Sequence, residues 1–319
     1  MATTITPSVR LSALPPATGR AGLRGALASE FTKIRSVRST YWTLGALFVV
    51  SVGLGLAIAA GTSANWQNHP FQKVGFDATQ TSLGAFFEIG QLIIAVLGAM
   101  VITSEYSTGM IRTSLTAQPR RGVVYAAKAI AFTSVTLVIS LITAFISFFA
   151  VQAVYASTGV GVSLFRTSKI PAQAMMDCLQ RVQVGPSQFR CTNGHLVVTS
   201  WDTIHPSTVL AAIIGTALFV TLVALIAYGV GALVRHTAGA IAIVIALMFI
   251  IPILENALPS EWHNDIMRFL PDAANQVVSV TTGQIIQNLW SAWPQLGVTA
   301  LWAAALVGIG SYLFRKRDA

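Results

Sequence analysis

Charged residues are scarce in this chain. Only 10% of its 319 residues are Asp, Glu, Lys or Arg, and 54% are hydrophobic, whereas a soluble domain usually carries about 25% charged residues. The mean hydropathy is +0.68, and the apolar residues form long blocks without charge. A chain of this composition is too poor in charge to stay soluble as a monomer and points to a lipid environment. A soluble enzyme is therefore excluded.

The sequence also lacks the short motifs of common catalytic sites. It contains no G-x-x-x-x-G-K-[ST] loop, so no ATP site is expected on this chain. H-E-x-x-H, G-x-S-x-G and C-x-x-C are absent as well, and the five histidines are scattered. We therefore expect no catalytic residue, no metal site and no cofactor here. Any work that the protein performs must draw on an ion gradient or on another subunit.

Six apolar stretches are long enough, or nearly long enough, to cross a bilayer. A hydrocarbon core about 30 Å thick requires roughly 20 helical residues. The predicted spans cover residues 41–60, 83–103, 129–151, 209–234, 238–254 and 296–314. We therefore expect an all-α integral membrane protein with a transmembrane domain over residues 40–314. Its two long outer loops would cover residues 156–206 and 255–295.

The charges outside the spans predict the orientation. Six spans place both termini on one side, and the segments on that side carry fourteen Lys and Arg but three acids. The segments on the other side carry six basic and seven acidic residues. Because basic segments stay inside, both termini, including the tail 315–319, are predicted to be cytoplasmic. This asymmetry accounts for the net charge of +9 without a nucleic-acid partner.

The residues before the first span divide into two parts. Residues 1–21 are rich in proline and are predicted to form a disordered cytoplasmic tail. Residues 22–39 are predicted to form an amphipathic helix on the membrane surface; a basic flank without an ordered helix is the alternative. The apolar residues of this helix recur at three- and four-residue steps: Leu23, Leu27, Phe31 (or Glu30), Ile34 and Val37. The basic residues around them are Arg24, Lys33, Arg35 and Arg38.

The two outer loops carry one further prediction each. Cys178 and Cys191 are the two cysteines of the chain, and in an oxidising compartment we expect them to form a disulfide; two free thiols are the alternative. Residues 271–294 mix apolar residues with Gln and Asn between two prolines. This segment is expected either to re-enter the outer leaflet against protein or to lie flat on the surface.

Glu88 is the one acidic residue within the predicted spans. Gln91 follows nearly one turn later on the same helix face. A carboxylate within a membrane costs free energy and is commonly functional, which favours a translocation pathway that includes both side chains. Glu88 is also only five residues from the predicted start of its span. An interfacial or helix-pairing role is therefore the alternative.

The segment after the second span, residues 105–128, contains residues that begin and end a short helix. Thr108-Gly109 predicts a turn, and a short helix is expected to start near Met110. Gln118-Pro119 ends it, and Arg120-Arg121 precede the third span. The apolar face of this helix would be made by Ile111, Leu115 and Ser114. Such a helix lying across the cytoplasmic surface can be displaced by a soluble partner. A basic topology loop explains the arginines but not Glu105, Gly109 and Pro119.

The order of residues in this segment resembles the loop between spans two and three of ABC-2 type permeases. These are the membrane subunits of one class of ATP-binding-cassette transporter, with the pattern E-Y-x-x-G-T-[IL]-R-x-x-L-x-x-x-P-x-x-R followed by a Lys. The matching residues are Glu105, Tyr106, Gly109, Ile111, Arg112, Leu115, Pro119 and Lys128. Met110 stands where the pattern has Thr, and Arg120 and Arg121 lie near its last Arg.

The resemblance implies an ABC-2 architecture like that of type V exporters. It implies a second permease, identical or related, and two copies of a separate ATPase that bind ATP and Mg²⁺. The segment from Glu105 to Lys128 would couple the two kinds of subunit. The chain itself is then a non-catalytic permease, expected to be an exporter in a bacterial cytoplasmic membrane. An ion-gradient-driven secondary transporter and a non-transporting anchor or sensor subunit are the alternatives. The uncharged spans favour an apolar or amphiphilic cargo.

Overall fold

The computed structural model describes residues 22–68, 76–117, 119–171, 191–192, 195–196, 201–255, 266, 268–271 and 291–316. Helices dominate these residues. In chain order they are α1 (Leu23–Ser36), α2 (Arg38–Asn68), α3 (Ala78–Ser107), α4 (Met110–Ala117), α5 (Arg121–Tyr155), α6 (Pro206–Val234), α7 (Thr237–Ile245), α8 (Ile251–Glu255) and α9 (Ala292–Lys316). A π-helical turn, Ala246–Ile250, joins α7 to α8.

Six helical segments in the described part of the chain are long and apolar enough to cross a membrane. They are α2, α3, α5, α6, the continuous segment from α7 to α8, and α9. The predicted all-α architecture with six spans is thereby confirmed. All six segments begin before their predicted apolar stretches, most markedly α3 at Ala78 and α5 at Arg121. Hydropathy locates the part of a helix that lies in lipid, whereas the hydrogen-bonded backbone continues beyond it.

The start of α3 is fixed by a capping residue. The carboxylate of Asp77 accepts hydrogen bonds from the backbone N–H groups of Thr79, at 2.9 Å, and Gln80, at 3.2 Å. Acidic N-caps stabilise helices because the first N–H groups have no partner within the helix. Asp77 therefore adds more than one helical turn before the predicted start of this span at Leu83.

The core of the bundle is built around α6. Most of its residues are buried, and it packs against α3, α5 and α9. The α3 and α6 backbones approach so closely that a Cβ atom on Gly98 would lie 2.5 Å from the carbonyl oxygen of Ala224. A Cβ atom on Gly229 would lie 2.8 Å from the backbone of Leu306 on α9. Small residues allow such close contacts between membrane helices.

The turn from α6 to α7 sets these helices against α3. Arg235 ends α6 in a left-handed conformation, with φ of 59°. The imidazole Nδ1 of His236 then accepts a hydrogen bond of 3.4 Å from the backbone N–H of Gly239. Thr237 donates to the hydroxyl of Thr103 on α3 at 2.9 Å. The start of the fifth span is thereby held against the last turns of the second.

Two short antiparallel strand pairs lie within the 156–206 loop. β1 (Ser168–Pro171) pairs with β4 (Trp201–Ile204), and β2 (Cys191–Thr192) pairs with β3 (His195–Leu196). These strands were not predicted from the sequence. They are outside the six spans, so the all-α class of the membrane domain is unaffected.

Three predictions fall on residues outside the described ranges. Cys178 is one of them, so its disulfide with Cys191 stays a prediction. The tail 1–21 is another, and the third is most of the segment considered as re-entrant. Just before that segment, Trp302 of α9 donates to the carbonyl oxygen of Phe269 at 2.8 Å. Gln295 donates to the carbonyl oxygen of Leu270 at 3.1 Å. This short turn therefore lies along α9.

Candidate functional site

One end of the bundle carries most of the described basic side chains, and we call it the basic end. It comprises α1, α4 and the adjoining ends of α2, α3, α5, α6 and α9. Its basic residues are Arg24, Lys33, Arg35, Arg38, Arg112, Arg120, Arg121, Lys128, Arg235, Arg315 and Lys316. The candidate site residues of the segment from Glu105 to Lys128 also lie at this end.

Four charged side chains from three helices meet inside the basic end. Lys128 on α5 lies 2.7 Å from Glu30 Oε2 on α1 and 2.7 Å from Glu105 Oε1 on α3. Lys33 on α1 lies 2.8 Å from Glu30 Oε1 and 3.1 Å from Glu105 Oε1. We call these four residues the ion-pair cluster. Its two carboxylates and two ammonium groups balance in charge.

Three members of the ion-pair cluster are almost completely buried. Glu30, Glu105 and Lys128 are 4%, 6% and 5% exposed. Removing a charge from water is costly, and partners of opposite sign with good geometry offset that cost. The cluster can therefore exist at this depth only while its members remain paired. Losing one of them leaves a buried charge uncompensated.

Lys33 is the most exposed of the four residues in the ion-pair cluster. Burial lowers the pKa of its ammonium group, but the hydrogen bond to Glu30 and the charges of Glu105 and Glu30 outweigh that effect. The pKa of Lys33 is therefore raised above its ordinary value of about 10.5. Lys33 stays charged at neutral pH, as its three hydrogen bonds require.

The two carboxylate oxygens of Glu105 differ in their hydrogen bonding. Its Oε1 atom accepts from both lysines, whereas Oε2 is buried without a hydrogen-bond partner among the described residues. A buried acceptor without a partner carries a desolvation cost. The ion-pair cluster therefore contains one buried carboxylate oxygen that is not paired within the described residues.

The short helix α4 lies beside the ion-pair cluster and forms where it was predicted. Gly109 connects it to α3 with φ of +71°, a left-handed conformation that favours glycine. The side chain of Ile111 is 3% exposed and packs into the core. Ser114 accepts a hydrogen bond of 3.1 Å from Lys33. One side of α4 is thereby held by the core and by the cluster.

The opposite side of α4 is accessible. Met110, Arg112 and Thr113 are exposed, as are Pro119 and Arg120 after the helix. This surface carries positive charge beside an exposed methionine. It is the part of residues 105–128 that another molecule could contact directly.

Tyr106 follows Glu105 on α3 and contacts a different group of helices. The guanidinium carbon of Arg235 lies 4.9 Å from the centre of its ring, a cation–π contact. The ring centre is 6.4 Å from that of Phe314 on α9. The last residues of α3 therefore contact α1 and α5 through Glu105, and α9 and the end of α6 through Tyr106.

Two buried tyrosines extend these contacts between α5, α6 and α9. Tyr228 donates to the carbonyl oxygen of Tyr125 at 3.0 Å, and Tyr125 donates to the carbonyl oxygen of Val307 at 3.2 Å. The ring of Tyr125 also lies 5.4 Å from Phe314. We call Tyr106, Tyr125, Tyr228, Arg235 and Phe314 the aromatic cluster. It ties the ends of four spanning helices together.

Some predicted site residues are located differently from the expectation. Glu105 and Lys128 were assigned to a loop, but they lie in α3 and α5, because both helices extend into the basic end where these charges are paired.

Glu88 was expected near the rim of its span. It lies ten residues after Ala78, or about 15 Å along the helix, and is exposed, while Gln91 is buried. Neither belongs to the basic end.

Glu30 and Lys33 were missed as site residues. The apolar periodicity of the first helix did not decide whether Phe31 or Glu30 lies on its inner face. In the structure Glu30 is buried and Phe31 is 38% exposed. A signal was present, since Glu30 is the one acidic residue before Asp77 and precedes Lys33 by three positions. That spacing brings opposite charges together on a helix.

We also considered a metal site and a polar pocket. Within the described ranges, no three side chains of His, Cys, Asp or Glu lie close enough to hold a metal ion. A groove of about 360 Å³ lies between α5, α6 and α9, and its lining is apolar apart from two threonines. Both hydroxyls, of Thr133 and Thr221, donate to their own helix backbones.

The fold and the basic end define a multi-pass helical membrane protein with an exposed helix anchored on buried charges. The sequence from residue 26 to residue 184, about half of the chain, matches the family described as ABC-2 family transporter protein. The chain belongs to this family and is thus an ABC transporter permease. No curated protein sequence matches the chain. The matched segment includes α4 and all four members of the ion-pair cluster.

Proposed function

We propose that this chain is the permease subunit of an ABC exporter, driven by a separate ATPase that binds to α4. The observation that carries the proposal is the position of α4. It is exposed on one side and fixed on the other to buried charges that join three helices. Such an element can receive a displacement from a partner and pass it to the membrane domain.

The charge of the basic end supports its orientation. Basic segments are retained in the cytoplasm, and the basic end includes α1, α4 and the last residues of α9. ATP is supplied on that side of the membrane. An ATPase would therefore contact Met110, Arg112 and Arg120.

The contacts around α4 support a route for the displacement. Lys33 joins Ser114 of α4 to Glu105 and Glu30. Lys128 joins the same two carboxylates to α5. Moving α4 would thus disturb the pairing among α1, α3 and α5. Since Tyr106 follows Glu105, a movement of α3 would also reach α6 and α9 through the aromatic cluster.

The unpaired Oε2 atom of Glu105 supports a two-state mechanism. A change of conformation by nucleotide requires two arrangements that the partner stabilises differently. In one arrangement both lysines bind Oε1, as observed. In the other, one lysine binds Oε2. Binding and hydrolysis of ATP would shift the balance between them.

The complete transporter contains further components in this proposal. Two ATPase subunits bind ATP and Mg²⁺, and a second permease, identical or related, completes the translocation pathway. The chain itself has no catalytic role. It lies in a bacterial cytoplasmic membrane with both termini in the cytoplasm and exports an apolar or amphiphilic cargo.

Charge reversal on α4 tests the proposal. The tagged chain is purified from its native membranes, and ATPase activity in the preparation is measured. Arg112→Glu should abolish the co-purified activity without affecting the yield of the chain. Arg24→Glu, on the exposed part of α1, is the matched control and should retain it. Equal activity in both variants, or none in the wild type, contradicts the proposal.

Reconstitution distinguishes the two alternatives. A secondary transporter would move cargo in liposomes under a pH gradient without any ATPase, whereas an exporter permease would not. An anchor or sensor subunit would bind the ATPase, yet the reconstituted complex would not transport with ATP. ATP-dependent transport that is lost in Arg112→Glu is the outcome expected here.

A further inference from the structure

The outer half of α3 carries a polar stripe in a helix that is otherwise mostly apolar. Gln80, Gly84, Glu88 and Gln91 follow one another at steps of four, four and three residues. At 100° per residue these positions fall within one 80° sector of the helix. Gln80 and Glu88 are exposed, and Gly84 is half-buried. We call these four residues the polar stripe.

Glu88 lies well inside the second spanning helix, away from both of its ends. At 1.5 Å per residue it is roughly 17 Å from Asp77 and roughly 26 Å from Glu105. A hydrocarbon core about 30 Å thick, centred between those two charges, places Glu88 about 10 Å inside the boundary. A carboxylate facing acyl chains at this depth is unfavourable, and such residues usually face a partner or a water-filled cavity.

The spanning helices supply no positive partner for Glu88. No hydrogen bond or ion pair of Glu88 is found within the described residues. Lysine and arginine occur in the six spanning segments only at the basic end: Arg38, Arg121, Lys128, Arg315 and Lys316. The spanning helices of a second copy in the same orientation therefore could not pair Glu88 either. Arg268, outside the spans, is already engaged within the chain.

Gln91 supplies a second polar group on the same sector of α3. Its side chain is 8% exposed, lies on the same face less than one turn from Glu88, and makes no hydrogen bond to the described residues. Gly84 leaves room beside them, because a Cβ atom there would meet only the ring of Phe87, at 4.0 Å. A carboxylate, an amide and an open backbone position therefore lie within one sector of α3.

We propose that the polar stripe binds the cationic group of an amphiphilic substrate during its passage, with Glu88 as the counter-ion and Gln91 as a hydrogen-bonding group. The apolar surface on either side of the stripe receives the remainder of the substrate. The inference rests on the proposed function and specifies its substrate class: cationic amphiphiles, such as lipophilic amines or quaternary onium compounds.

Two probes of the same shape and opposite charge test this inference. The full chain is reconstituted in nanodiscs, and binding of radiolabelled tetraphenylphosphonium and of tetraphenylborate is measured, with empty nanodiscs subtracted. The wild type should bind the cation saturably and the anion not at all. Glu88→Gln should weaken cation binding by about tenfold or more, because a charge-assisted contact is lost. Gln91→Leu should weaken it by about threefold.

Two further variants exclude a merely structural effect. Glu88→Asp retains the charge and should keep most of the affinity. Met100→Leu changes an exposed residue on the opposite face of α3 and should leave binding unchanged. Absence of saturable cation binding to the wild type, equal binding of the anion, or full affinity in Glu88→Gln would overturn the inference. No ATPase or nucleotide is present, so such a result would leave the coupling proposal for α4 unaffected.

Discussion

Lys128 and Glu105 form an ion pair of 2.7 Å in which both side chains are more than nine-tenths buried. They are separated by 23 residues, and α4 lies between them in the chain. Glu105 is the first residue of the ABC-2 pattern and Lys128 is the last. The two residues therefore contact each other in the interior, beside the helix α4 that lies between them in the chain. Glu30 and Lys33 complete the charge balance from α1. The pattern thus describes a folded unit with α4 on its surface.

Removing one partner of this pair should strongly destabilise the protein. Lys128→Met leaves two buried carboxylates with Lys33 as their one remaining cation, and Glu105→Gln leaves an excess of positive charge. Each change should cost about 3–5 kcal/mol of unfolding free energy, as for other buried pairs that lose one partner. Unfolding in mixed micelles, monitored by circular dichroism against increasing SDS, measures the change.

The double variant reports the interaction itself. Lys128→Met combined with Glu105→Gln should cost less than the sum of the single changes, with a coupling of about 1–3 kcal/mol. Lys316→Met, at an exposed position on α9 where the ammonium group contacts the ring of Tyr312, is the control and should lie within about 1 kcal/mol of the wild type. Strict additivity would show that the two residues stabilise the fold independently.

The raised pKa of Lys33 predicts that the stability of the fold depends on pH in alkaline solution. Its pKa in the folded protein is raised above the ordinary value of about 10.5, so folding favours the protonated form. The stabilisation is complete below about pH 10.5 and is lost as the pH rises through the folded-state pKa. The melting temperature of the wild type should therefore exceed that of Lys33→Met by a constant amount from pH 7 to about pH 10 and by less at higher pH. A difference that grows above pH 10.5 would contradict the sign of the shift.

The sequence predicted α4 because the residues that define it are local. Gly109 starts it after a turn and Pro119 follows its end, and both effects depend only on neighbouring backbone. The six spans were predictable for a similar reason, since each is a continuous apolar block. Their helical ends were less predictable, because Asp77 and the paired charges extend the helices beyond those blocks.

The ion-pair cluster could not be predicted in the same way. Glu30 and Lys128 are 98 residues apart, and their contact depends on how α1 packs against α5. Apolar periodicity tolerated either Phe31 or Glu30 on the inner face of α1. The choice is made by tertiary structure, since Glu30 gains two ammonium partners inside and Phe31 can face lipid.

Gly109 should tolerate asparagine better than alanine or valine. Its Cβ position is open, with no atom within 4 Å, so the cost of substitution arises only from its positive φ. That cost is about 1–2 kcal/mol for most residues, whereas asparagine adopts this conformation more readily. Gly109→Val should therefore raise hydrogen exchange in α4, and Gly109→Asn should have little effect. Both variants should keep the helices α5 and α6 as protected as in the wild type. Equal exchange in the two variants would mean that the turn is not held by its backbone conformation.

Gly229 and Gly53 form a matched pair for testing the close packing of α6. A Cβ atom on Gly229 would lie 2.8 Å from the backbone carbon of Leu306 and 2.9 Å from the nitrogen of Val307, so α9 must move away to admit it. Gly229→Ala should cost about 1–3 kcal/mol, the usual range for overpacking. Gly53 in α2 has no atom within 4 Å of its Cβ position, and Gly53→Ala should be neutral or should stabilise by up to about 1 kcal/mol through helix propensity. Unfolding of both variants in mixed micelles gives the comparison. If Gly229→Ala unfolded at the same SDS fraction as Gly53→Ala, α9 would not be held as closely against α6 as the structure describes.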